Sequence, residues 1–406
     1  MELRVSEKYK GVSGLEEAAQ IVQKCVHCGF CNATCPTYQL LGDERDGPRG
    51  RIYLMKSMFE GNATSKLTQL HLDRCLTCRA CETTCPSGVR YGRLLEIGRD
   101  ITEQNIERPM KERLIRFFLR KMLLSEGLFR FVFNIGRLVR PMLPPATAKS
   151  IPRYRSGRRL RTTKHSRRML LLDGCVQPAL MPAINAAAVR VLNLVGISAV
   201  VPSKVGCCGA LSLHLGGIAE AKKFARRNIN AWWPEVENGA EMIVITASGC
   251  GVTVREYSQL LSGEKEYAEK AAIISSMVRD LCEVVAKEKP SGMSCGNGRR
   301  VAFHSPCTLQ HGQNILGLVE EILTENGWLL TPVSEGHICC GSAGTYSLLQ
   351  RKISNQLAEN KLIALTKNEP DIIASANIGC LLHLEKRSER PVRHWIELLD
   401  PAGGMR

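Results

Sequence analysis

The chain has 406 residues, eighteen of them cysteine, and its 55 lysines and arginines exceed its 39 acids to leave a net charge of +16. It contains no run of about eighteen uninterrupted apolar residues, so no helix is expected to span a bilayer. The opening Met1-Glu-Leu-Arg-Val-Ser-Glu-Lys8 lacks the apolar core that export requires, and so much cysteine without it points to a reducing compartment where disulfides do not form.

The first predicted elements are two copies of one phrase, Cys25-x2-Cys28-x2-Cys31-x3-Cys35-Pro36 and Cys75-x2-Cys78-x2-Cys81-x3-Cys85-Pro86. Three thiolates at this spacing can wrap one face of a [4Fe-4S] cube, whereas the fourth, displaced by three residues and followed by proline, turns towards the other cube. The expected ligand sets are therefore crossed: Cys25, Cys28, Cys31 and Cys85 for one cluster, Cys75, Cys78, Cys81 and Cys35 for the other. A zinc ribbon would need only two Cys-x-x-Cys pairs and gives no reason for a third cysteine and a proline, twice. Between the runs, Gly47-Pro48-Arg49-Gly50 signals a turn, and Arg51–Phe59 has helical apolar spacing with Pro48 near its start.

Two stretches follow that interleave aromatics with cations, Leu114–Leu124 and Leu128–Ile135, and they hold five of the nine phenylalanines. Residues 137 to 168 then carry eleven basic side chains and no acid: Arg137, Arg140, Lys149, Arg153, Arg155, Arg158, Arg159, Arg161, Lys164, Arg167 and Arg168. Pro141, Pro144, Pro145 and Pro152 mark this segment as an irregular linker. An apolar body with a basic fringe suits a membrane interface or a partner's surface. Nucleic acid is not expected, because stacking wants aromatics inside the basic stretch and only Tyr154 is there.

Eight of the remaining ten cysteines repeat. Cys175, Cys207 and Cys208 recur 132 residues on as Cys307, Cys339 and Cys340, each adjacent pair followed by glycine, and Cys250 and Cys380 close the copies two residues out of step. Each cysteine follows a β-rich run: Met169–Leu172, Ser198–Pro202, Met242–Thr246, Arg300–Phe303, Trp328–Thr331 and Asp371–Ala374. Helical stretches Ala183–Leu194, Ile218–Trp232 and Tyr346–Leu365 lie between them, which predicts βαβ units, a mainly parallel sheet, and two cysteine nests facing each other at the strand C-termini. Cys282 is expected on the buried face of a helix around Val278–Val285, and Cys295 in a glycine-rich loop.

The N-terminal module resembles the helical ferredoxin domain of respiratory dehydrogenase subunits, and the copies resemble the CCG domain of heterodisulfide-reductase-like and quinone-linked dehydrogenase subunits. That second resemblance implies a closing Cys-x-x-Cys, but Ala247 and Asn377 stand at the earlier position here. Four cysteines per copy can still hold a further iron–sulfur cluster or a zinc ion. His304, His311 and His337 are possible hydrogen-bond donors, ligands or quinone contacts near the nests. No Gly-x-Gly-x-x-Gly lies between a strand and a helix, so no nicotinamide or flavin site is expected, and no catalytic residue is assigned.

In module order and in phrases such as Asp46-Gly-Pro-Arg-Gly-Arg-Ile-Tyr-Leu54, Cys339-Cys-Gly-Ser-Ala-Gly-Thr-Tyr346 and Val392-Arg-His-Trp-Ile-Glu397, the chain resembles the iron–sulfur subunits of bacterial glycolate oxidase (glycolate dehydrogenase). The resemblance implies an α+β protein: a ferredoxin-like domain with two [4Fe-4S] clusters (1–105), a basic amphipathic linker (106–165) and two CCG repeats (166–290 and 291–406). It implies an FAD-bearing partner subunit oxidising glycolate or D-lactate to glyoxylate or pyruvate, and relay through this chain to a quinone-type acceptor at the cytoplasmic side of the inner membrane. A sibling relay for lactate or glycerol 3-phosphate, or a heterodisulfide-reductase-like enzyme working at its own cysteine nest, is the alternative.

Overall fold

The computed structural model describes residues 1–12, 14–144, 148, 151–152, 154–157 and 164–403. The N-terminal part is helical. Helix α1 (Leu15–Lys24) buries Leu15, Ala18, Ile21 and Val22 along one stripe, the spacing of a helix face. After α2 (Phe30–Ala33), Pro36 opens α3 (Pro36–Leu41), and Pro48 opens α4 (Pro48–Phe59), where its missing N–H would have had no partner anyway. Helices α5 (Lys66–Asp73), α6 (Ala80–Thr83) and α7 (Tyr91–Asn105) complete the module. Its core joins Leu94, Leu95, Ile97 and Ile101 of α7 to Ile52, Met55 and Phe59 of α4 and to the α1 stripe.

The two aromatic-basic stretches are helices α8 (Met110–Leu124) and α9 (Glu126–Val139), broken at Ser125. No side chain of α8 is buried. Phe133 of α9 enters the core, with Phe129 packed against it, whereas Leu114, Phe117, Phe118, Phe131 and Leu138 stay exposed.

Two four-stranded sheets follow, and each is wholly parallel. The first has the order β2 (Ile197–Val200), β1 (Arg167–Leu171), β3 (Ile243–Ile245), β4 (Val278–Asp280). The second repeats it as β6 (Leu329–Leu330), β5 (Arg300–His304), β7 (Ile372–Ser375), β8 (Val392–His394). The six expected runs all contain strands, but β4 and β8 are additions, and Val278–Asp280 is strand rather than the start of a helix. Cys282 is buried in the following helix, Leu281–Glu288, which Asp280 caps. The helix expected over Tyr346–Leu365 is two, Tyr346–Leu349 and Arg351–Thr366, because Gln350 leaves helical geometry (φ −117°, ψ 50°). One continuous hydrophobic core serves both sheets, joining Met169, Leu171 and Val244 to Val301, Phe303, Ile373 and Trp395.

The linker is shorter than its charge run. Arg167 and Arg168 belong to β1, where Arg167 pairs with Glu241 and Glu288 and Arg168 with Glu235. Arg155 is tied to Glu385 and Glu397, and Arg137 lies 4.3 Å over the Tyr154 ring. Lys149, Arg153, Arg158, Arg159, Arg161 and Pro145 lie outside the described residues. No described helix is long and apolar enough to cross a membrane.

Candidate metal centres

The ferredoxin runs fold alike. His27 and Thr77, then Gly29 and Arg79, take left-handed backbone at matched positions (φ 61°, 55°, 87° and 62°), curling each Cys-x2-Cys-x2-Cys into a loop that ends in a single helical turn, α2 or α6. Cys25, Cys28, Cys31 and Cys85 line one cavity. Cys35, Cys75, Cys78 and Cys81 line the next, and Cys81 and Tyr91 border both. The fourth cysteine of each run thus stands with the first three of the other.

Beneath Cys35 lies a buried polar network that sequence reading missed. Arg51 is fully buried, with Nη1 4.0 Å from Cys35 Sγ, Nε donating to the His71 carbonyl (2.7 Å) and Nη2 to Thr37 Oγ1 (3.1 Å). Asp46 receives Arg74 Nη1 at 2.8 Å and Arg51 Nη2 at 3.5 Å, and its Oδ1 lies 2.9 Å from His71 Nδ1. Burial opposes the Arg51 charge, but Cys75, Tyr91, Cys35 and Asp46 around it outweigh burial and raise its pKa. The Tyr91 hydroxyl approaches Cys75 Sγ at 3.8 Å.

In the repeats, the cysteines cluster where strand order reverses, between β1 and β3 and between β5 and β7, the edge at which such sheets bind ligands. The thiols touch in the same order in both copies: Cys175 to Cys207, Cys207 to Cys208, Cys208 to Cys250; and Cys307 to Cys339 (3.8 Å), Cys339 to Cys340, Cys340 to Cys380. Gly209 and Gly341 follow each pair in left-handed backbone (φ 92° and 86°), each donating its N–H to Cys207 or Cys339 Sγ at 3.4 Å. A Cβ at Gly341 would meet the Ser354 carbonyl at 2.7 Å, so the third letter of Cys-Cys-Gly has to be glycine.

Four thiols so close are costly to ionise without a cation among them. Contact with Cys207 and burial push Cys175 up, contact with Cys339 and burial push Cys307 up, and burial raises Cys78 and Cys81 and takes Cys31 to about 11. Cys207 is the exception, lowered by its contacts with Cys175 and Cys208. A metal reverses this balance, since a coordinating thiol is deprotonated outright. Sets of four thiols at these spacings fit clusters or zinc.

The two nests wall a common cavity of about 1410 Å³. Ser248 Oγ meets Thr308 Oγ1 at 2.7 Å, the Ser248 N–H donates to the Ala376 carbonyl and the Gly249 N–H to Asn377 Oδ1, joining the edges of the repeats. The ferredoxin module docks on both repeats: on the second, Cys78 and Leu76 pack with Cys307, Cys339 and Tyr346, whose hydroxyl donates to the Arg74 carbonyl (3.0 Å). Arg79 pairs with Glu256, and Thr83 Oγ1 lies 2.9 Å from His311 Nδ1. His311 Nε2 lies 3.1 Å from the His337 carbonyl, so this histidine belongs to the junction rather than to a nest. His304 does sit at a nest, where burial pushes its pKa down to about 3. Cys295 is exposed, and neither it nor Cys282 lines the common cavity.

The fold and these thiol sets define an iron–sulfur protein, a two-cluster ferredoxin module joined to a duplicated cysteine-rich domain. Family models agree: residues 21–89 match the 4Fe-4S dicluster domain, and residues 169–255 and 301–385 match the cysteine-rich domain. The chain is 48% identical over 403 residues, 99% of each protein, to the glycolate oxidase iron-sulfur subunit of Escherichia coli (strain K12). It is 29% identical over 397 residues to the probable glycolate oxidase iron-sulfur subunit of Bacillus subtilis (strain 168), covering 90% of this chain and 89% of that one. Lactate utilization protein A of Bacillus licheniformis is 26% identical over 236 residues, 56% of this chain and 96% of its own length. The chain belongs to the family of glycolate oxidase iron–sulfur subunits.

Proposed function

We propose that this chain is the electron relay between an FAD-bearing partner subunit, which oxidises glycolate or D-lactate to glyoxylate or pyruvate, and a quinone-type acceptor. The observation that carries the reading is the single file of thiol sets: Cys25, Cys28, Cys31 and Cys85; then Cys75, Cys78, Cys81 and Cys35; then Cys307, Cys339, Cys340 and Cys380; then, across the shared cavity, Cys175, Cys207, Cys208 and Cys250. We assign the first two sets as [4Fe-4S] ligands and the last two as ligands of a further cluster or zinc. Clusters supply one-electron transfer, whereas taking two electrons and a proton from a 2-hydroxy acid needs a hydride-accepting cofactor such as flavin.

The residues of this chain hold, space and shield the centres. Tyr91 and Cys81 line both of the first two cavities, and Leu76 and Tyr346 fill the joint between the second set and the repeats. The first set is the outermost, with Cys28 exposed beside Val26 and Phe30, both more than half exposed, a surface suited to a donor subunit. The exposed apolar faces of α8 and α9 support peripheral attachment to the cytoplasmic side of the inner membrane. The purified chain should be brown, contain no flavin and be inert to glycolate. Adding the flavoprotein subunit should let glycolate bleach it, and oxidation of glycolate by the chain alone would overturn the assignment.

A further inference from the structure

The duplication is not symmetrical in chemistry. Leu170 pairs with Ile243 and Leu171 with Val244, which brings Leu172 opposite Ile245 at the mouth of the first nest. Both are buried and apolar, and Ala247 completes this edge. The same register in the second sheet pairs His304 with Ser375, and Asn377 replaces the alanine. Three apolar positions have thus become histidine, serine and asparagine at one nest only.

These polar groups turn to the thiols. A ring nitrogen of His304 and the sulfurs of Cys340 and Cys380 all lie within 4.8 Å of one another, in a buried group. His304 Nδ1 lies 3.0 Å from Ser375 Oγ, and Asn377 Nδ2 donates to Cys380 Sγ at 3.4 Å. A metal-bound histidine gives its other ring N–H to an acceptor that fixes tautomer and ring orientation, and the Ser375 hydroxyl is placed for that part, leaving Nε2 with its lone pair. Among the described residues, no histidine falls in such a close group with the thiols of the first nest.

We propose that His304 is a ligand of the metal centre in the second repeat, making that centre a mixed imidazole–thiolate site while the first repeat remains all-thiolate. The proposal rests on the reading that both nests bind metal. A [4Fe-4S] cluster or a zinc ion takes four protein donors, so the imidazole stands in for one of the second nest's four thiolates; with one negative charge fewer a cluster's potential rises, and the centre nearest the ferredoxin module would be the more readily reduced of the two.

The test uses the full chain grown with histidine labelled with nitrogen-15 in the ring, compared with His304→Leu and His304→Cys. Leucine already occupies the equivalent position of the first repeat, which favours folding of the first variant, and the cysteine variant keeps a donor. Pulsed EPR of the reduced protein should show a ring-nitrogen coupling that is lost in both variants, while His304→Cys retains metal and titrates at a lower potential. If the centre is zinc, absorption at the zinc edge should count one nitrogen neighbour at about 2.0–2.1 Å beside sulfurs at about 2.3 Å, with the nitrogen lost in both variants. Metal present in the repeats with no histidine nitrogen, or unchanged by both variants, overturns the inference alone. Metal analysis finding two [4Fe-4S] clusters and nothing more overturns the metal reading of the nests, and the inference with it.

Discussion

Replacing Arg51 by methionine should lower the reduction potential of the cluster held by Cys75, Cys78, Cys81 and Cys35. The guanidinium is fully buried, with Nη1 4.0 Å from Cys35 Sγ, so its charge acts on the cluster with little screening. A unit charge at that distance is worth up to about 4 kcal/mol at an effective dielectric constant of about 20. At about 2.3 kcal/mol per 100 mV for one electron, the ceiling is ~170 mV; because the iron lies beyond the sulfur, the expected fall is on the order of 100 mV. Stability should fall as well, by about 3–5 kcal/mol, because Asp46 keeps only Arg74 and His71 and the His71 carbonyl loses its donor. Arg51→Lys keeps the charge and should restore most of the potential but not the fork of hydrogen bonds. Redox titration followed by EPR separates the two centres. A methionine variant that loads both clusters and titrates both at wild-type potentials would refute the electrostatic argument.

Cys35→Ser should impair the centre of the second run and spare that of Cys25, Cys28 and Cys31; EPR loss confined to the first-run centre would break the crossed assignment. Glu96 has a pKa raised to about 7, chiefly by burial and then by Glu256, against the pull of Arg79 and Arg93. A raised carboxyl favours folding below about pH 4.5 and that contribution is lost as pH rises through 7, so Glu96→Gln should be the more stable protein at pH 8, by on the order of 1–2 kcal/mol after discounting its 20% exposed side chain. Equal denaturant midpoints of the two proteins at pH 8 would contradict this. Liposomes with anionic lipid should carry the chain on flotation at low salt, less so as salt shortens the Debye length to about 8 Å and below, and Phe131→Glu should weaken the binding; no flotation at low salt would leave α8 and α9 to a protein partner.

What could be read from the sequence was whatever depends on spacing along the chain. Crossed cysteine sets, the duplication and the strand ends carrying Cys175, Cys250, Cys307 and Cys380 all follow from intervals, and intervals survive folding. Strands β4 and β8 escaped because they read Val-Arg-Asp and Val-Arg-His, with no apolar run to mark them, whereas the equally short β3 is Ile-Val-Ile. The charge run misled in a different way. Arg155, Arg167 and Arg168 read as free cations, yet their carboxylate partners lie 67 to 242 residues away, and only tertiary structure brings them together. The same holds for Arg51 at the start of α4, and for the contacts Arg79–Glu256 and Tyr346–Arg74, which tie the ferredoxin module to the first and the second repeat.

The exchange of fourth cysteines between the two runs also bears on how the protein is made. A nascent chain that has emerged as far as Cys35 presents four thiols in a row, but in the folded arrangement they face two different cavities, and neither is closed before residues 75 to 85 have left the ribosome. Half a module therefore offers the cell's iron–sulfur delivery machinery no finished cradle, and a truncation ahead of Cys75 would forfeit both centres rather than one. Metal insertion at these sets would then be tied to completion of the whole helical module, whose Cys78 and Leu76 pack against the second repeat.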